Sequence, residues 1–323
     1  MTRWVEVRAP GKVNLRLEVL GQRQDGFHEL ATAMLAVDLE DRVYARRSAH
    51  EGLALSISGP AASEDIPTDG RNLVWRAAAA VLDSFVAQDP SRTEPGLELH
   101  LHKQVPSRAG LGGGSSDAAA TLRAVSAALD FELSYADRIA ILSELGSDTV
   151  FFEAAAHTGY AWCLGRGEDV HPIETRRPTW TVAVFVPSVS ASTGAVYRAL
   201  GLERSESVLE VPPLNDPLDG QLDHARASLF NGLESAAWTV EPELELWRSL
   251  FDSSGIEHAC LSGSGAAWFA LFPSIAAAEE AVQRVEAAAA REGLGIRGCF
   301  VTEPIGRGVS APVEVDQLPV VHS

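Results

Sequence analysis

The sequence predicts an α+β fold, because strand-like and helix-like hydrophobic patterns follow one another irregularly along the chain. Several strand patterns come in adjacent pairs that indicate hairpins, whereas a doubly wound parallel sheet requires regular alternation of strands and helices. The length of 323 residues favours two domains or one large domain. With 46% hydrophobic and 22% charged residues, the composition is that of a globular protein.

Alternating or continuous apolar runs predict the strands. Residues 13–20 alternate strictly and place Val13, Leu15, Leu17 and Val19 on one face, which is typical of a half-buried strand. An Asp-Gly turn signal within 24–28 separates this strand from the next apolar stretch. The other strand predictions are 30–39, 53–57, 97–103 and 180–188, a strand, Gly/Ser turn and strand over 258–272, and mixed strands and turns over 150–175.

Helical spacing of apolar residues predicts the helices. The first covers 72–86, where Asn72 can cap the N-terminus. A second, alanine-rich helix is expected over 117–129, with its apolar positions at 118, 119, 122, 125 and 129. A third covers 135–148 and is expected to stop at Gly146. The remaining helix predictions are 243–255 and 274–293.

The net charge and the cysteines restrict which partners the protein can bind and in which cellular compartment it is expected. A formal net charge of −18 argues against broad electrostatic attraction to nucleic acid or anionic membranes, so phosphate must be bound locally. Cys163, Cys260 and Cys299 are widely spaced and fit no metal-ligand pattern, which favours reduced core thiols. No signal-peptide core and no run of about 18 apolar residues is present, so we expect a soluble cytoplasmic protein, either a monomer or a homodimer.

The segment VPSRAGLGGGSSDAAATL, at 105–122, has four glycines and two serines within seven positions. A P-loop is excluded, because no Gly-Lys-Ser/Thr sequence occurs in the chain. A dinucleotide fingerprint fits poorly, since the pattern that starts at Gly110 ends at Ser115 and 105–108 separate the loop from the strand before it. Asp130 lies at a suitable distance for that fingerprint, but a single acid is weak support.

The pattern that the segment fits best is a phosphate cradle at a helix N-terminus. Gly112, Gly113 and Gly114 free the backbone to aim N–H groups at an anion, and Ser115 and Ser116 add hydroxyls. The helix dipole adds about half a positive charge at the same place. A turn that only lets a helix pack closely is the alternative, although such a turn needs one or two glycines.

Three segments resemble, in order, the three motifs of the superfamily of galactokinase, homoserine kinase, mevalonate kinase and phosphomevalonate kinase, the GHMP kinases. They are APGKVNLRLEVLGQRQDGFHEL at 9–30, the glycine loop, and LSGSGAAWFALF at 261–272. The resemblance covers roughly residues 5 to 300. It implies a two-domain GHMP kinase fold, with a ribosomal protein S5 domain 2-like N-terminal domain at 1–170, a ferredoxin-like C-terminal domain at 171–310 and a tail at 311–323.

Within the superfamily, the first motif, the Gly-Gly-Gly-Ser-Ser-Asp run and LGSD at 145–148 resemble the kinases that phosphorylate the 2-hydroxyl of a cytidine diphosphate-linked methylerythritol on the non-mevalonate isoprenoid route. This implies an ATP-dependent small-molecule kinase that uses ATP and Mg²⁺. A homoserine- or mevalonate-type kinase is one alternative, against which DGFH at 25–28 argues. A non-catalytic regulator is another, and loss of Lys12 or Asp148 would have favoured it.

Lys12 and Asp148 are the catalytic residues that the resemblance implies. In the family, the acid of LGSD faces the acceptor hydroxyl beside a lysine of the first motif, which keeps the acid ionised and offsets charge on the moving phosphate. By itself, an aspartate after Gly-Ser is more often a turn or cap residue. Arginine supplies 24 of the 26 basic residues, so lysine occurs only at Lys12 and Lys103, which hints that an ammonium is needed there.

The resemblance also implies which residues lie at the nucleotide. Lys103 precedes the glycine loop, where the family has a lysine near the nucleotide, and a solvated strand end is the alternative. Ser115 or Ser116 is a candidate Mg²⁺ ligand, and helix capping is the alternative role of both. The full set expected to bind ATP is Lys103, Pro106, Gly110, Leu111, Gly112, Gly113, Gly114, Ser115 and Ser116.

On the acceptor side, His28 resembles the histidine that hydrogen-bonds the cytosine edge. The family usually has tyrosine before it to stack on the base, and Phe27 keeps the ring without the hydroxyl. Residues 189–200 resemble the segment that provides the opposite ring, Tyr197, and a polar neighbour, Thr193. The full set expected to bind the acceptor is Asn14, Phe27, His28, Asp148, Thr193 and Tyr197.

Asn14 lies two residues after Lys12 on the same strand face and is expected to touch the erythritol or its diphosphate. The chain departs from the family pattern at two further places. Val150 replaces a common proline in a stretch that also lacks a Gly-Gly turn, and Gly232 stands where an acid is more usual. Neither departure changes Lys12, Asp148 or the glycine loop.

Overall fold

Two long strands, β1 (Trp4–Gln22) and β2 (His28–Ser48), pair antiparallel at the centre of the fold. The computed structural model describes residues 3–89, 91, 93–174, 177–202 and 221–318. The further elements before residue 175 are β3 (Leu53–Ser58), α1 (Leu73–Gln88), β4 (Gly96–His102), α2 (Gly113–Ala128), α3 (Tyr135–Leu145), α4 (Thr149–Ala154), β5 (Tyr160–Gly165) and β6 (Asp169–Pro172).

The elements after residue 176 contribute the four strands of a second sheet, their helices, and two short strands, β8 and β12, that join the first sheet. They are β7 (Thr181–Pro187), α5 (Thr193–Ala199), α6 (Leu222–Ser228), β8 (Phe230–Asn231), α7 (Glu234–Val240), α8 (Glu243–Ser253), β9 (Cys260–Leu261), β10 (Trp268–Phe272), α9 (Ile275–Glu292), β11 (Ile296–Thr302) and β12 (Val313–Val315). None of the helices in these described ranges has the length and apolar character needed to cross a bilayer.

The two sheets are mostly antiparallel. In the larger one, the strand order is β12-β1-β2-β4-β3, with β5 and β6 joined through β2, and β8 joined to β1. Only the β3–β4 and β1–β8 pairs are parallel among the described strands. The smaller sheet has the order β11-β7-β10-β9 and is antiparallel throughout. Two such sheets with packed helices confirm the α+β prediction.

The core of the N-terminal half lies between the larger sheet and helices α1 and α2. Leu97, Leu99 and Leu101 of β4 are buried in it, as their alternation predicts. The side chain of Asn72 accepts a hydrogen bond from the N–H of Val74 and caps α1, which confirms the predicted cap. The predicted stop of α3 at Gly146 is also confirmed.

A second core and a third core hold the two halves together. On one side of the smaller sheet, β7 packs against α9, whose buried stripe includes Ala281 and Val285. On the other side, Val182 and Val184 of β7 share a core with Val13 of β1 and with residues of β2. Because each residue of β7 is buried, its side chains serve both cores. This shared core fixes the first motif against the third.

Three predictions about elements were wrong in detail. The start of 150–175 is the helix α4, whose Val150, Phe151 and Phe152 are all buried, and an apolar run buried on several sides has no helical periodicity to reveal it. Helix α2 begins at Gly113, four residues before the predicted start at 117. Part of the segment 311–323, expected to be a loose tail, pairs with β1 as the strand β12. The domain boundaries stay a prediction.

Candidate active site

The glycine loop leads directly into the first turn of α2. Gly112 is the residue before the helix and has a φ of 69°, in the left-handed region that glycine adopts at little cost. No side chain caps this helix end, so the N–H groups of its first turn have no capping partner, and the residues of this turn line a pocket. Backbone N–H groups at a helix N-terminus can bind an anion, and phosphate binding at this helix end stays a prediction.

The loop is packed tightly against the first and third motifs. A Cβ added at Gly110, where φ is 79°, would lie 2.0 Å from the carbonyl oxygen of Ser262. A Cβ added at Gly112 would lie 2.9 Å from Cγ of Lys12 and 3.0 Å from Cζ of Phe152. The N–H of Lys12 also donates to the carbonyl of Leu111 at 2.9 Å. Glycine is therefore required for packing at these two positions.

Replacing Gly110 by alanine is expected to lower the free energy of unfolding by about 2 to 4 kcal/mol and to raise KM for ATP. The reason is a left-handed backbone, which costs about 1–2 kcal/mol for alanine, plus a clash with a backbone carbonyl that costs a similar amount. Urea unfolding and initial rates would measure both effects. Gly306→Ala is the matched control, because nothing lies within 4 Å of its Cβ. Equal stability of the two variants would contradict the tight packing.

Lys12 and Asp148 form an ion pair at the wall of a pocket. The distance from Lys12 Nζ to Asp148 Oδ2 is 3.3 Å, and the side chains are 3% and 31% exposed. Lys12 lies on β1, and Asp148 lies just before α4. A buried ammonium beside a partly open carboxylate leaves a carboxylate oxygen accessible to a ligand. The predicted pairing of these two residues is thus present in the structure.

A chain of hydrogen bonds holds Lys12 in place. Its Nζ donates to Oδ1 of Asn14 at 2.6 Å, and Nδ2 of Asn14 donates to Oγ1 of Thr32 at 2.8 Å. The hydroxyl of Thr32 donates to the carbonyl of Arg16 at 2.8 Å. The hydroxyl of Ser262 in the third motif donates to the carbonyl of Gly110 at 2.9 Å. Asn14 therefore fixes the ammonium, in addition to any contact with a ligand.

Lys103 lies beneath the glycine loop in a buried cluster with two aspartates. Its ammonium pairs with Asp41 and, at 2.8 Å, with Oδ2 of Asp117 on α2. Burial by itself would lower the pKa of Lys103, but the charges of Asp117 and Asp41 outweigh it and raise the pKa. A solvated strand end is therefore excluded. Asp41 also accepts from the N–H groups of Gln104 and Val105, so the cluster ties the loop to β2 and α2.

Two pockets meet at the glycine loop. The aromatic pocket, of about 500 Å³, contains Lys12 and all six residues expected at the acceptor. The glycine-loop pocket, of about 530 Å³, contains every residue expected at ATP except Ser116. Gly110, Gly112 and Thr193 line both pockets. A ligand in one pocket can therefore approach a ligand in the other next to Lys12 and Asp148.

In the aromatic pocket, Phe27 and Tyr197 each contact another side chain. The ring of Tyr197 packs on the ring of His28, with centroids 4.8 Å apart. The guanidinium of Arg166 lies over the exposed ring of Phe27. Burial lowers the pKa of His28, which favours a neutral imidazole, and burial raises the pKa of the Tyr197 phenol. The hydroxyls of Thr193 and Ser264 are 2.8 Å apart and join α5 to the third motif. The predicted opposition of Phe27 and Tyr197 across a base stays a prediction.

The serines that follow the glycines differ in exposure. Ser115 is half-buried and lines the glycine-loop pocket, whereas Ser116 is fully buried, and its hydroxyl has no partner among the described residues. The described ranges contain no group of three His, Cys, Asp or Glu residues that could hold a metal on their own. Mg²⁺ prefers oxygen ligands and usually keeps phosphates and waters in its shell. The donors therefore fit an ion that is held mainly by nucleotide phosphates, with Ser115 as the accessible hydroxyl.

Sequence reasoning missed two parts of the site. The glycine-loop pocket is also lined by residues from 65–73, including Ile66, Pro67 and Leu73. Arg166 and Arg198 line the aromatic pocket. Apart from Arg198, which lies within the segment 189–200, these residues belong to no motif with a recognisable spacing, and the fold brings them to the pockets. Arg198 had one available signal, which is its position directly after Tyr197.

Two family models match the chain. Residues 72–156 match the GHMP kinases N terminal domain, and residues 220–291 match the model named GHMP kinases C terminal. The first match contains the glycine loop and Asp148, and the second contains the Gly/Ser turn of the third motif. The order of the two matches is that of the two sheets in the structure.

Curated relatives extend over most of the chain. The 4-diphosphocytidyl-2-C-methyl-D-erythritol kinase of Listeria monocytogenes serotype 4a is 34% identical over 267 residues, which are 83% of this chain and 87% of the relative. The protein of the same name from Exiguobacterium sibiricum is 37% identical over 266 residues, which are 82% of this chain and 88% of the relative.

Solved structures share the fold. A crystal structure of a 4-(cytidine 5'-diphospho)-2C-methyl-D-erythritol kinase matches with a TM-score of 0.71 at 32% identity, and the match covers 93% of this chain and 100% of that chain. Homoserine kinase from Cytophaga hutchinsonii matches with a TM-score of 0.69 at 19% identity, over 97% of this chain and 98% of that chain. At this lower identity, the second match shows a common fold and nothing more.

Proposed function

The chain belongs to the GHMP kinase family, among the 4-diphosphocytidyl-2-C-methyl-D-erythritol kinases that match most of its length, and we propose that it phosphorylates the 2-hydroxyl of that cytidyl substrate with ATP. One observation carries the proposal. The pocket that contains the glycine loop and the pocket that contains Phe27 and His28 meet at Gly110 and Gly112, beside the ion pair of Lys12 and Asp148.

The donor is proposed to occupy the glycine-loop pocket. N–H groups in the first turn of α2 would bind the phosphates, and the helix dipole would stabilise their negative charge. The apolar wall formed by Ile66, Pro67 and Leu73 would contact the adenosine end. Lys103 would act through its ion pairs with Asp41 and Asp117, which hold the loop in position.

Asp148 is proposed to be the general base. One of its carboxylate oxygens would accept the proton of the acceptor hydroxyl as the hydroxyl oxygen forms its bond to the γ-phosphorus and the bond to the β,γ-bridging oxygen breaks. Lys12 would offset the charge on the transferred phosphate from its buried position. The hydrogen bond from Lys12 to Asn14 keeps the ammonium in place during this step.

Mg²⁺ is the metal that the family generally uses, and the donor set described above fits it. Ser115 would hold the ion together with the nucleotide phosphates, and the bound ion supplies neutralisation of phosphate charge. The orientation of the acceptor and the removal of its proton depend on the protein residues. We propose that the enzyme works in the cytoplasm, where ATP is available.

The function is tested by a panel of acceptors with ATP. Release of ADP would be followed with the cytidyl substrate, homoserine and mevalonate, and ³¹P NMR would locate the new phosphate. We expect turnover of the cytidyl substrate alone, with the phosphate on its 2-hydroxyl. Preferred turnover of homoserine or mevalonate would identify another kinase of the superfamily, and absence of turnover with each acceptor would favour a non-catalytic regulator.

Replacing His28 by alanine is expected to raise KM for the cytidyl substrate about tenfold or more and to leave KM for ATP within about twofold. A lost hydrogen bond that leaves a partner unpaired costs about 1–3 kcal/mol, and His28 lines only the aromatic pocket of the two. Initial rates with each substrate varied in turn would measure the effect. His171→Ala is the control, because that side chain is 52% exposed on β6. An equal rise in both KM values would contradict the placement of His28.

A further inference from the structure

Arg166 is a cation of the aromatic pocket with free hydrogen-bonding capacity. Its Cζ lies 4.8 Å from the centroid of the Phe27 ring. Its Nε pairs with Oε1 of Glu168 at 3.1 Å, and its backbone N–H donates to Oε2 of the same residue at 2.6 Å. Within the described ranges, its two Nη groups have no hydrogen-bond partner. The guanidinium is thus anchored at one edge and on one face, with its outer donors available.

The backbone explains why Arg166 reaches Phe27. Strands β2 and β5 pair antiparallel, and their register places Leu30 opposite Gly165. The residues that follow Gly165 therefore lie beside the residues that precede Leu30, which include Phe27. Gly165 and Gly167 have φ values of 72° and 116°, so the chain turns sharply around Arg166. This turn directs the arginine to the pocket, and it does so without any motif around residue 166.

The same turn touches the catalytic carboxylate. A Cβ added at Gly167 would lie 3.7 Å from Oδ1 of Asp148 and 3.6 Å from the carbonyl oxygen of Ser147. One residue of the turn therefore contacts Phe27 and the next lies beside Asp148. The turn therefore extends along the pocket from Phe27 to Asp148.

We propose that Arg166 binds the diphosphate of the acceptor, an inference that rests on the proposed function. The acceptor carries a base at one end, the reacting hydroxyl at the other and a diphosphate between them. With the base at Phe27 and the hydroxyl at Asp148, the diphosphate passes the turn that carries Arg166. A planar guanidinium with two free Nη groups matches phosphate oxygens, and Lys12 is already paired with Asp148.

A purely supporting role makes a different prediction. If Arg166 only held the ring of Phe27, its loss would weaken each ligand that stacks on that ring, with or without phosphate. If Arg166 binds the diphosphate, its loss weakens only the ligands that carry phosphate. Cytidine and cytidine diphosphate share the base and differ in the charged group, so the pair separates the two roles.

The experiment is calorimetric titration of cytidine, cytidine monophosphate and cytidine diphosphate into the wild-type protein and Arg166→Ala. We expect cytidine diphosphate to bind about ten- to a hundredfold more weakly to Arg166→Ala, with cytidine affinity within about twofold of wild type. Cytidine binding also reports that the variant is folded. With the complete acceptor, KM should rise by a similar factor, whereas KM for ATP and kcat should stay near wild type.

Two further variants sharpen the result. Arg46→Ala is the matched control, because Arg46 also covers an aromatic ring, that of Trp4, pairs with Glu98 and is 31% exposed against 28% for Arg166. It should bind all three ligands like wild type. Arg166→Lys should recover part of the affinity for cytidine diphosphate.

The outcomes separate this inference from the proposed function. Equal weakening of cytidine and cytidine diphosphate in Arg166→Ala, or no weakening of either, would overturn the diphosphate role while wild-type turnover of the cytidyl acceptor still supported the function. A wild-type protein that binds neither ligand and does not turn over the acceptor would contradict the proposed function, and the inference would fall with it.

Discussion

Replacing Asp148 by asparagine is expected to lower kcat at least about a hundredfold while ATP still binds. The amide has the shape of the carboxylate but cannot accept the proton of the acceptor hydroxyl, and general base catalysis contributes about a hundredfold to ten-thousandfold. Binding should survive, because Asp148 does not line the glycine-loop pocket. The measurements are kcat at saturating substrates and ATP affinity by calorimetry.

Asp169→Asn provides the control for this change. Asp169 lies in β6, and its side chain is 65% exposed, paired with His171 outside the two pockets. Asp169→Asn removes one negative charge, as Asp148→Asn does, and should leave kcat near wild type. A kcat of Asp148→Asn close to wild type would contradict the assignment of the base, and loss of ATP binding would point to a role in holding the nucleotide.

Replacing Lys12 by methionine is expected to lower kcat about a hundredfold to a thousandfold. The ammonium is the buried charge at the junction of the pockets, and loss of one preorganised electrostatic contact of this kind costs about that factor. Methionine retains most of the aliphatic stem that packs on Gly112, so the effect reports the charge more than the volume. Single-turnover rates with both substrates saturating would isolate the chemical step.

Binding and folding distinguish the electrostatic role of Lys12 from a structural one. Methionine leaves Oδ1 of Asn14 without the 2.6 Å donor, so the melting temperature should fall moderately. ATP and cytidine affinities should change much less than the chemical rate. If the rate fell only in proportion to the affinities, Lys12 would be a binding residue whose interaction is equal in the ground state and the transition state.

The sequence predicted the residues of the motifs more completely than it predicted the structure around those residues. Gly112 and Ser115 were singled out because four glycines and two serines fall within seven positions next to a predicted helix. The start of α2 at Gly113 was not recognised, because three consecutive glycines disfavour helix and the close packing of Gly113 beside Val105 and Lys103 has no local signal. Local propensity therefore placed the helix four residues too late.

Long-range partners explain the remaining differences. Lys103 was expected near the nucleotide, but its neighbour Asp41 lies 62 residues away in the chain, so the buried cluster has no local signal. Arg166 meets Phe27 only through the register of β2 and β5. The pairing of Tyr197 with His28 likewise depends on how α5 packs beside β2. Such contacts are set by tertiary packing, which the spacing of residues along one chain does not contain.

The proposed link between cytidyl binding in the aromatic pocket and phosphorylation of the acceptor hydroxyl is tested most directly by comparing two acceptors with ATP. One is the cytidyl substrate, and the other is methylerythritol phosphate, which lacks the cytidyl group. The arrangement of Phe27 and His28 in one pocket with Lys12 and Asp148 predicts ADP release and a new phosphate ester with the cytidyl substrate and little turnover without it. Equal kcat/KM for the two acceptors, or no phosphoryl transfer to the cytidyl substrate, would contradict it.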